Sequence, residues 1–275
     1  LRQIRSVWRK ALTGELCWVD SVGRPNGIAV TPLLRGEVPC VALPYSHRAT
    51  VRLLAEATEV GFAVTDGRSL RTGQGGVVAF GPVRVIDDLS GSLFGEQLLE
   101  QELRKYPPSR ALVDSLLLRR ENWWWMPRVV VELSGVNRVV ESARRDDPAR
   151  NALLIHGPET AAVSTVALGE RGSGRMELTP LDDALPSDGG AGMVFGYDYT
   201  STDLERWESW RFSGSLRRGG LEISHVEGTP GEKSRPLGLL QRIRRRHRIA
   251  KACRGGISVA ERHTNGGSRE VSWTP

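Results

Sequence analysis

The hydrophobic positions of this chain change period in a definite order near its N-terminus. Ile4, Trp8, Ala11 and Leu12 fall on one side of a helical repeat, so residues 2–13 read as a lead-in helix covering one end of a barrel. Leu16, Trp18 and Val19 then form an apolar, β-prone run that stops at the turn-forming Asp20-Ser21-Val22-Gly23-Arg24-Pro25. Ile28, Val30 and Leu33 resume with alternation, which is a hairpin pattern. A second turn at Arg35-Gly36-Glu37 leads into a strand from Val38 to Leu43. Pro44 closes that strand, and the period shifts toward 3.6, with Val51, Leu54 and Ala55 on one helical face. Alternation returns at Val60, Phe62 and Val64. The polar Ser46, His47, Arg48, Thr50 and Arg52 gather where strand gives way to helix.

After Asp66 the glycine-rich, basic run GRSLRTGQGG reads as a loop that delivers residues 77–86, a strand bent at Gly81-Pro82. Residues 95–120 have helical spacing interrupted by Pro107-Pro108, and Val129 to Leu133 is a plain strand. Between them stands Trp123-Trp124-Trp125; adjacent strand residues face opposite ways, so packing is favoured over a stacking platform for bases or sugars. The charged, Pro-containing segment 141–150 is the best linker candidate.

Beyond it, Ala152 to Ile155, Ala161 to Leu168 and Met176 to Leu181 read as strands. An internal repeat is visible: Ile28 to Leu33 parallels Met176 to Leu181, and strands ending at Tyr45 and Tyr197 each precede a short polar helix and a strand resuming at Phe62 or Phe212. Only Leu221 to Val226 follows as a clear strand, so the second copy reads as reduced. The division expected is therefore 1–145, a barrel; 146–235, a degenerate repeat; and 236–275, a basic helix and tail carrying Leu240, Ile243, His247, Ala250 and Ile257 at helical spacing.

Composition narrows the function class. No apolar run approaches a membrane span, and no signal-like pattern opens the chain. Three scattered cysteines and five dispersed histidines exclude a disulfide framework and metal-ligand spacing, which favours a reducing cytoplasm and no metal. The net charge of +6 is local: eight Lys or Arg and no acid lie between Arg235 and Arg254, so the rest of the chain is net negative. A wet helix face accounts for that cluster better than nucleic-acid docking. Walker A, dinucleotide-fingerprint and nucleophile-elbow sequences are absent. What remains is the polar set at the start of the helix after Pro44, where exposed N–H groups, guanidinium groups and hydroxyls favour an anion.

In its first half the chain resembles the FMN-binding split-barrel family, the pyridoxamine-phosphate-oxidase-like group. The resemblance rests on CWVDSVGRPNGIAVTPLL, HRATVRLLAEATEVGFAVT, VVAFGPVRVIDD, the Tyr106-Pro107 region and WWWMPRVVVEL, in the family's order over residues 10–140. It implies a mainly β, α+β fold: an antiparallel split β-barrel with flanking helices, here followed by the reduced second half. It also implies a flavin-dependent oxidoreductase using FMN or a deazaflavin on a small redox substrate, in a homodimer or an intrachain pseudo-dimer. The phosphate would be held by Ser46, His47, Arg48, Thr50 and Arg52, with Thr31 on the adjacent strand. Where many members carry a lysine, this chain has Thr50 between Arg48 and Arg52. The alternatives are a haem-binding relative, or a non-catalytic binding or interaction protein that has lost the flavin.

Overall fold

The computed structural model describes residues 2–106, 108–109, 124–172, 174–182, 185, 189–199, 207–231 and 238–265. Helix α1 (Arg2–Lys10) buries Ile4, Val7 and Trp8, and the Trp8 indole N–H donates to the carbonyls of Leu33 and Cys40 at 2.9 and 3.2 Å. Strands β1 (Gly14–Val19) and β2 (Pro25–Val30) form the expected hairpin. Its turn is held by Asp20, whose carboxylate accepts from the N–H groups of Val22 and Arg24, and by Gly23 at φ +78°. Strands β3 (Leu33–Arg35) and β4 (Val38–Pro44) follow, then a 3-10 turn (Tyr45–His47) and helix α2 (Arg48–Ala55). Next come β5 (Val60–Val64), β6 (Gly76–Gly81) and β7 (Val83–Asp88), then a π-helical turn (Phe94–Leu98) continuing into α3 (Leu99–Lys105). The predicted helix over 111–119 and Trp123 lie outside the described residues. Strands β8 (Arg128–Leu133) and β9 (Arg138–Ser142) complete the first half.

These strands make two antiparallel sheets, ordered β2-β1-β5-β6-β9 and β3-β4-β8-β7, around one core. The bend expected at Gly81-Pro82 is where the chain passes from the first sheet to the second: a Cβ on Gly81 would lie 2.0 Å from the Gly135 carbonyl oxygen. Period-two alternation assigns the faces. Leu16, Trp18, Phe62, Val64, Val77 and Ala79 point into the first core, whereas Cys17, Val19, Ala63, Val78 and Phe80 point out of it and are equally buried.

What buries them is the second half. Strands β10 (Asn151–His156), β11 (Ala162–Arg171), β12 (Arg175–Pro180), β13 (Ala191–Tyr199), β14 (Trp207–Arg217) and β15 (Gly220–Glu227) close into an antiparallel barrel in the order β10-β11-β12-β15-β14-β13. Ala152, Leu154, Val194 and Phe212 fill that barrel, and the opposite residues of β10 and β13, namely Leu153, Ile155, Met193, Phe195, Tyr197 and Tyr199, lie against the outer face of β1, β5 and β6. Gly27 lets β2 approach as well, since a Cβ there would lie 2.7 Å from Ile155 Cδ1. The protein is thus mainly antiparallel β with flanking helices, an α+β fold. The second half is a complete six-stranded ring rather than a reduced one, because residues 162–171 and 207–217 form long strands where the sequence pattern marked shorter runs.

Two further expectations change. The proposed repeat does not carry a common strand order: β4 and β5 belong to different sheets, while their counterparts β13 and β14 pair directly along nine residue pairs. Tyr197 is not a strand end, since β13 runs on to Tyr199. The linker-like segment 141–150 is ordered at its centre, because Arg145 is 3% exposed and its backbone N–H donates to the Thr65 carbonyl. Glu141, Asp146 and Arg150 do face water, as a linker's charges would, but Arg145 between them is buried and holds the segment to the first half.

The last helix, α4 (Leu239–Asn265), places Ala250, Cys253, Ile257 and Ala260 against the body of the first half and leaves Leu240 and Ile243 exposed. No helix among the described residues is long and apolar enough to cross a membrane.

Candidate functional site

The start of α2 is where the sequence-predicted donors stand. Pro44 ends β4 with φ −59° and ψ 151°, and the chain then turns through Tyr45–His47 into α2. Neither the 3-10 turn nor α2 has a side-chain N-cap; the Arg48 N–H is taken by the Tyr45 carbonyl, and no side chain of Pro44 or His47 caps the N–H groups that follow. Ser46, His47 and Arg52 are exposed, and Arg48 and Thr50 are half-buried. The structure brings these five together on one turn and a half of chain. Thr31 sits in the link between β2 and β3, half-buried, and among the described residues no hydrogen bond joins it to the set.

Two carboxylates compete for the cations. Arg48 Nη1 lies 3.2 Å from Asp87 Oδ1 on β7, and the buried Tyr45 hydroxyl donates to the same oxygen at 2.9 Å. Burial, reinforced by Asp87, pushes the Tyr45 phenol well above its ordinary pKa, so it stays a neutral donor. Arg52 faces Glu56 one turn on at 3.6 Å, an exposed pair of little energetic weight. An anion arriving at α2 must therefore draw Arg48 from Asp87, whereas Arg52 is nearly free to turn.

Sequence reasoning missed what lies above the site. Helix α4 packs directly on the 3-10 turn: a Cβ on Gly256 would lie 2.4 Å from the Tyr45 carbonyl oxygen, so only glycine permits this approach. A Gly255-Gly256 pair inside a helical pattern was the available signal. Trp124 and Trp125 are buried beneath the same helix with Phe94 and Cys253, which removes them as a stacking platform.

A second polar constellation, also missed, lies in the seam between the halves. Glu15 on β1 is fully buried, and its Oε1 accepts from Arg145 Nη2 at 2.6 Å, from the Tyr197 hydroxyl at 2.7 Å and from the Thr65 hydroxyl at 3.1 Å. Arg145 Nε also donates to Thr65 Oγ1 at 2.8 Å. Burial raises the Glu15 carboxyl above its ordinary pKa while Arg145 opposes the shift. These four residues come from strands and a connection far apart in sequence, so no local motif could reveal them. No cluster of metal-ligating side chains occurs among the described residues.

As chemistry, the α2 set fits a phosphate: two guanidinium groups, two hydroxyls and uncapped backbone donors at a helix start. It holds no general base paired to a nucleophile among these residues.

No protein-family model matches the sequence, and comparison with curated proteins gives no match. Among solved structures, the chain is similar to the haem storage protein HutZ from Vibrio cholerae, at 14% identity and a TM-score of 0.37, over 52% of this chain and 95% of that one. A conserved hypothetical protein from Mycobacterium tuberculosis is similar at 18% identity and a TM-score of 0.36, over 52% and 84% of the two chains. A haem-binding protein from Mycobacterium smegmatis covers 93% of this chain and 96% of its own, at 12% identity and a TM-score of 0.32.

Proposed function

We propose that this chain binds a phosphate-bearing flavin, FMN or a deazaflavin, and acts as an oxidoreductase on a small redox substrate. The observation that carries the reading is the uncapped start of α2 with Arg48, Thr50, Arg52 and Ser46 around it. In this reading Arg48 and Arg52 hold the phosphate, the hydroxyls of Ser46 and Thr50 complete its shell, and Thr31 reaches in from the end of β2. The flavin supplies the hydride or electron chemistry, and the protein orients it. Asp87 tunes the site by competing for Arg48.

Titration of FMN followed by fluorescence quenching tests this. Replacing Arg48 and Arg52 together by Ala removes two charge-assisted bonds worth about 1.5–3 kcal/mol each, so affinity falls by roughly a hundredfold or more. Unchanged affinity would place the phosphate elsewhere. No binding by the native chain would leave a flavin-free binding protein.

The exposed His47 beside Arg48 favours one second reading, haem, with the imidazole as axial ligand and the arginine on a propionate. A Soret shift on adding haemin that is lost in His47→Ala supports haem; an identical spectrum in that variant removes His47 as ligand.

A further inference from the structure

The loop from Arg68 to Gly76 was expected only to connect strands, yet it forms one wall of a cavity of about 320 Å³ whose other wall is α1. Ser6 and Lys10 line it from the helix, and Ser69, Arg71, Thr72 and Gln74 from the loop. The loop is held from several sides. Arg144 Nη1 donates to the Arg71 carbonyl at 2.8 Å, and the Gln74 N–H donates to the same oxygen at 3.0 Å. Gly73 turns the chain at φ +74°, and the Ser69 hydroxyl accepts from the Thr13 backbone N–H at 3.0 Å and lies 2.9 Å from the Thr13 hydroxyl.

Charge bookkeeping around this cavity leaves a surplus of two cations. Arg68 is matched by Asp66 and Asp198, Arg144 by Asp146, and Arg5 and Arg9 by Glu37. Lys10 and the Arg71 side chain have no ion-pair partner among the described residues, and the hydroxyls of Ser6 and Thr72 have no hydrogen-bond partner there either. Gln74 uses its side-chain oxygen on the Arg71 N–H at 3.3 Å, which leaves its amide N–H groups to donate. One concavity thus collects two unmatched cations and three neutral donor groups, while its nearby carboxylates are already occupied.

We infer that the cavity between α1 and the 68–76 loop binds a phosphorylated small molecule, a phosphomonoester, at a site separate from the start of α2. A dianion takes charge-assisted bonds from Lys10 and Arg71, and the hydroxyls of Ser6 and Thr72 with the Gln74 amide supply neutral donors for its remaining oxygens. A volume of about 320 Å³ is at the small end of ligand pockets, enough for the phosphate with a compact organic group.

The test uses inorganic phosphate and AMP as probes, titrated into isotopically labelled full-length chain with amide shifts recorded by NMR. Saturable shifts at Thr72, Gly73 and Gln74 are expected in the native chain and in the Arg48→Ala, Arg52→Ala variant. In Lys10→Gln, Arg71→Gln they should require at least tenfold more probe. Both substituted side chains are exposed, so the fold should survive, and a circular-dichroism spectrum of the variant checks it. The assignment is overturned if Lys10→Gln, Arg71→Gln titrates like the native chain, if sodium chloride at equal ionic strength reproduces the shifts, or if neither probe moves these amides. Because the α2 variant is read in parallel, loss of the flavin site leaves this result unaffected, and the converse holds.

Discussion

Arg145 donates to Glu15 across 2.6 Å in the seam between the two halves, and both side chains are shielded from water. A connection that reads as linker is pinned to the first strand of the first sheet, and Tyr197 of the closed barrel bonds the same carboxylate oxygen. One buried charge therefore ties three distant parts of the chain together. Arg145→Met leaves Glu15 buried without its counter-ion and should cost about 3–5 kcal/mol in urea unfolding. Glu15→Leu with Arg145→Met should recover much of that loss, since it removes the pair rather than half of it. A single-variant cost below about 1 kcal/mol would show that the pair does not secure the seam.

Adjacent glycines in α4 should respond in opposite directions. A Cβ on Gly255 meets nothing within 4 Å, so Gly255→Ala should stabilise by about 0.5–1 kcal/mol through helix propensity alone. Gly256→Ala gains the same propensity but drives a methyl into the Tyr45 carbonyl, and overpacking of about 1–3 kcal/mol wins. Thermal unfolding of the two variants decides the matter: equal shifts would mean that α4 does not rest on the turn before α2. If the helix is displaced, ligand affinity at Arg48 should change in Gly256→Ala and not in Gly255→Ala.

Lys105 on α3 donates to the carbonyls of Trp8 and Pro32 at 3.0 and 2.7 Å, at the end of α1. Burial lowers its pKa to about 7. Between pH 7 and the unfolded value near 10.5 the unfolded chain binds the extra proton, so stability from this group rises with pH across that window and is lowest below pH 7. The neutral amine keeps two N–H donors for the two carbonyls. Denaturation of the native chain and of Lys105→Met from pH 6 to 10 should therefore show the difference moving in favour of the native chain. A pH-independent difference would place the lysine's titration outside this range.

The outer face of β1, β5 and β6 is covered by β10 and β13 of the same chain. A second copy cannot use that face, so sedimentation should give a monomer near the chain mass of 30.3 kDa. A dimer would require pairing through another surface, and Phe80→Asp, which strikes the internal seam, would then unfold the chain without dissociating it first.

Much of this molecule is written in local pattern. Alternation at Leu16, Trp18, Phe62 and Val64 marked the strands, Asp20 to Pro25 marked the hairpin turn, and Gly81-Pro82 marked a bend, because each depends on a few neighbouring residues; that the bend divides one expected strand into two strands of different sheets was not marked. The donors at Ser46, His47, Arg48, Thr50 and Arg52 were legible for the same reason, being close in sequence at one helix start. Three things were not. Asp87 reaches Arg48 from 39 residues away, Tyr197 reaches Glu15 from 182, and α4 returns to lie on Tyr45. The ring of β10 to β15 and the mismatch between β4–β5 and β13–β14 were hidden as well, since similar strand sequences close into different orders.

The sequence by itself determined most strands and turns of the first half, which residues alternate there, and where the cations and hydroxyls of α2 cluster, because short-range sterics and hydrophobic period act within a few residues. Only the tertiary structure decided which face of each strand meets which core. Cys17 and Leu16 are equally buried, one against the second barrel and the other within the first, and burial between distant segments leaves no mark on the local pattern beyond an apolar residue on both faces.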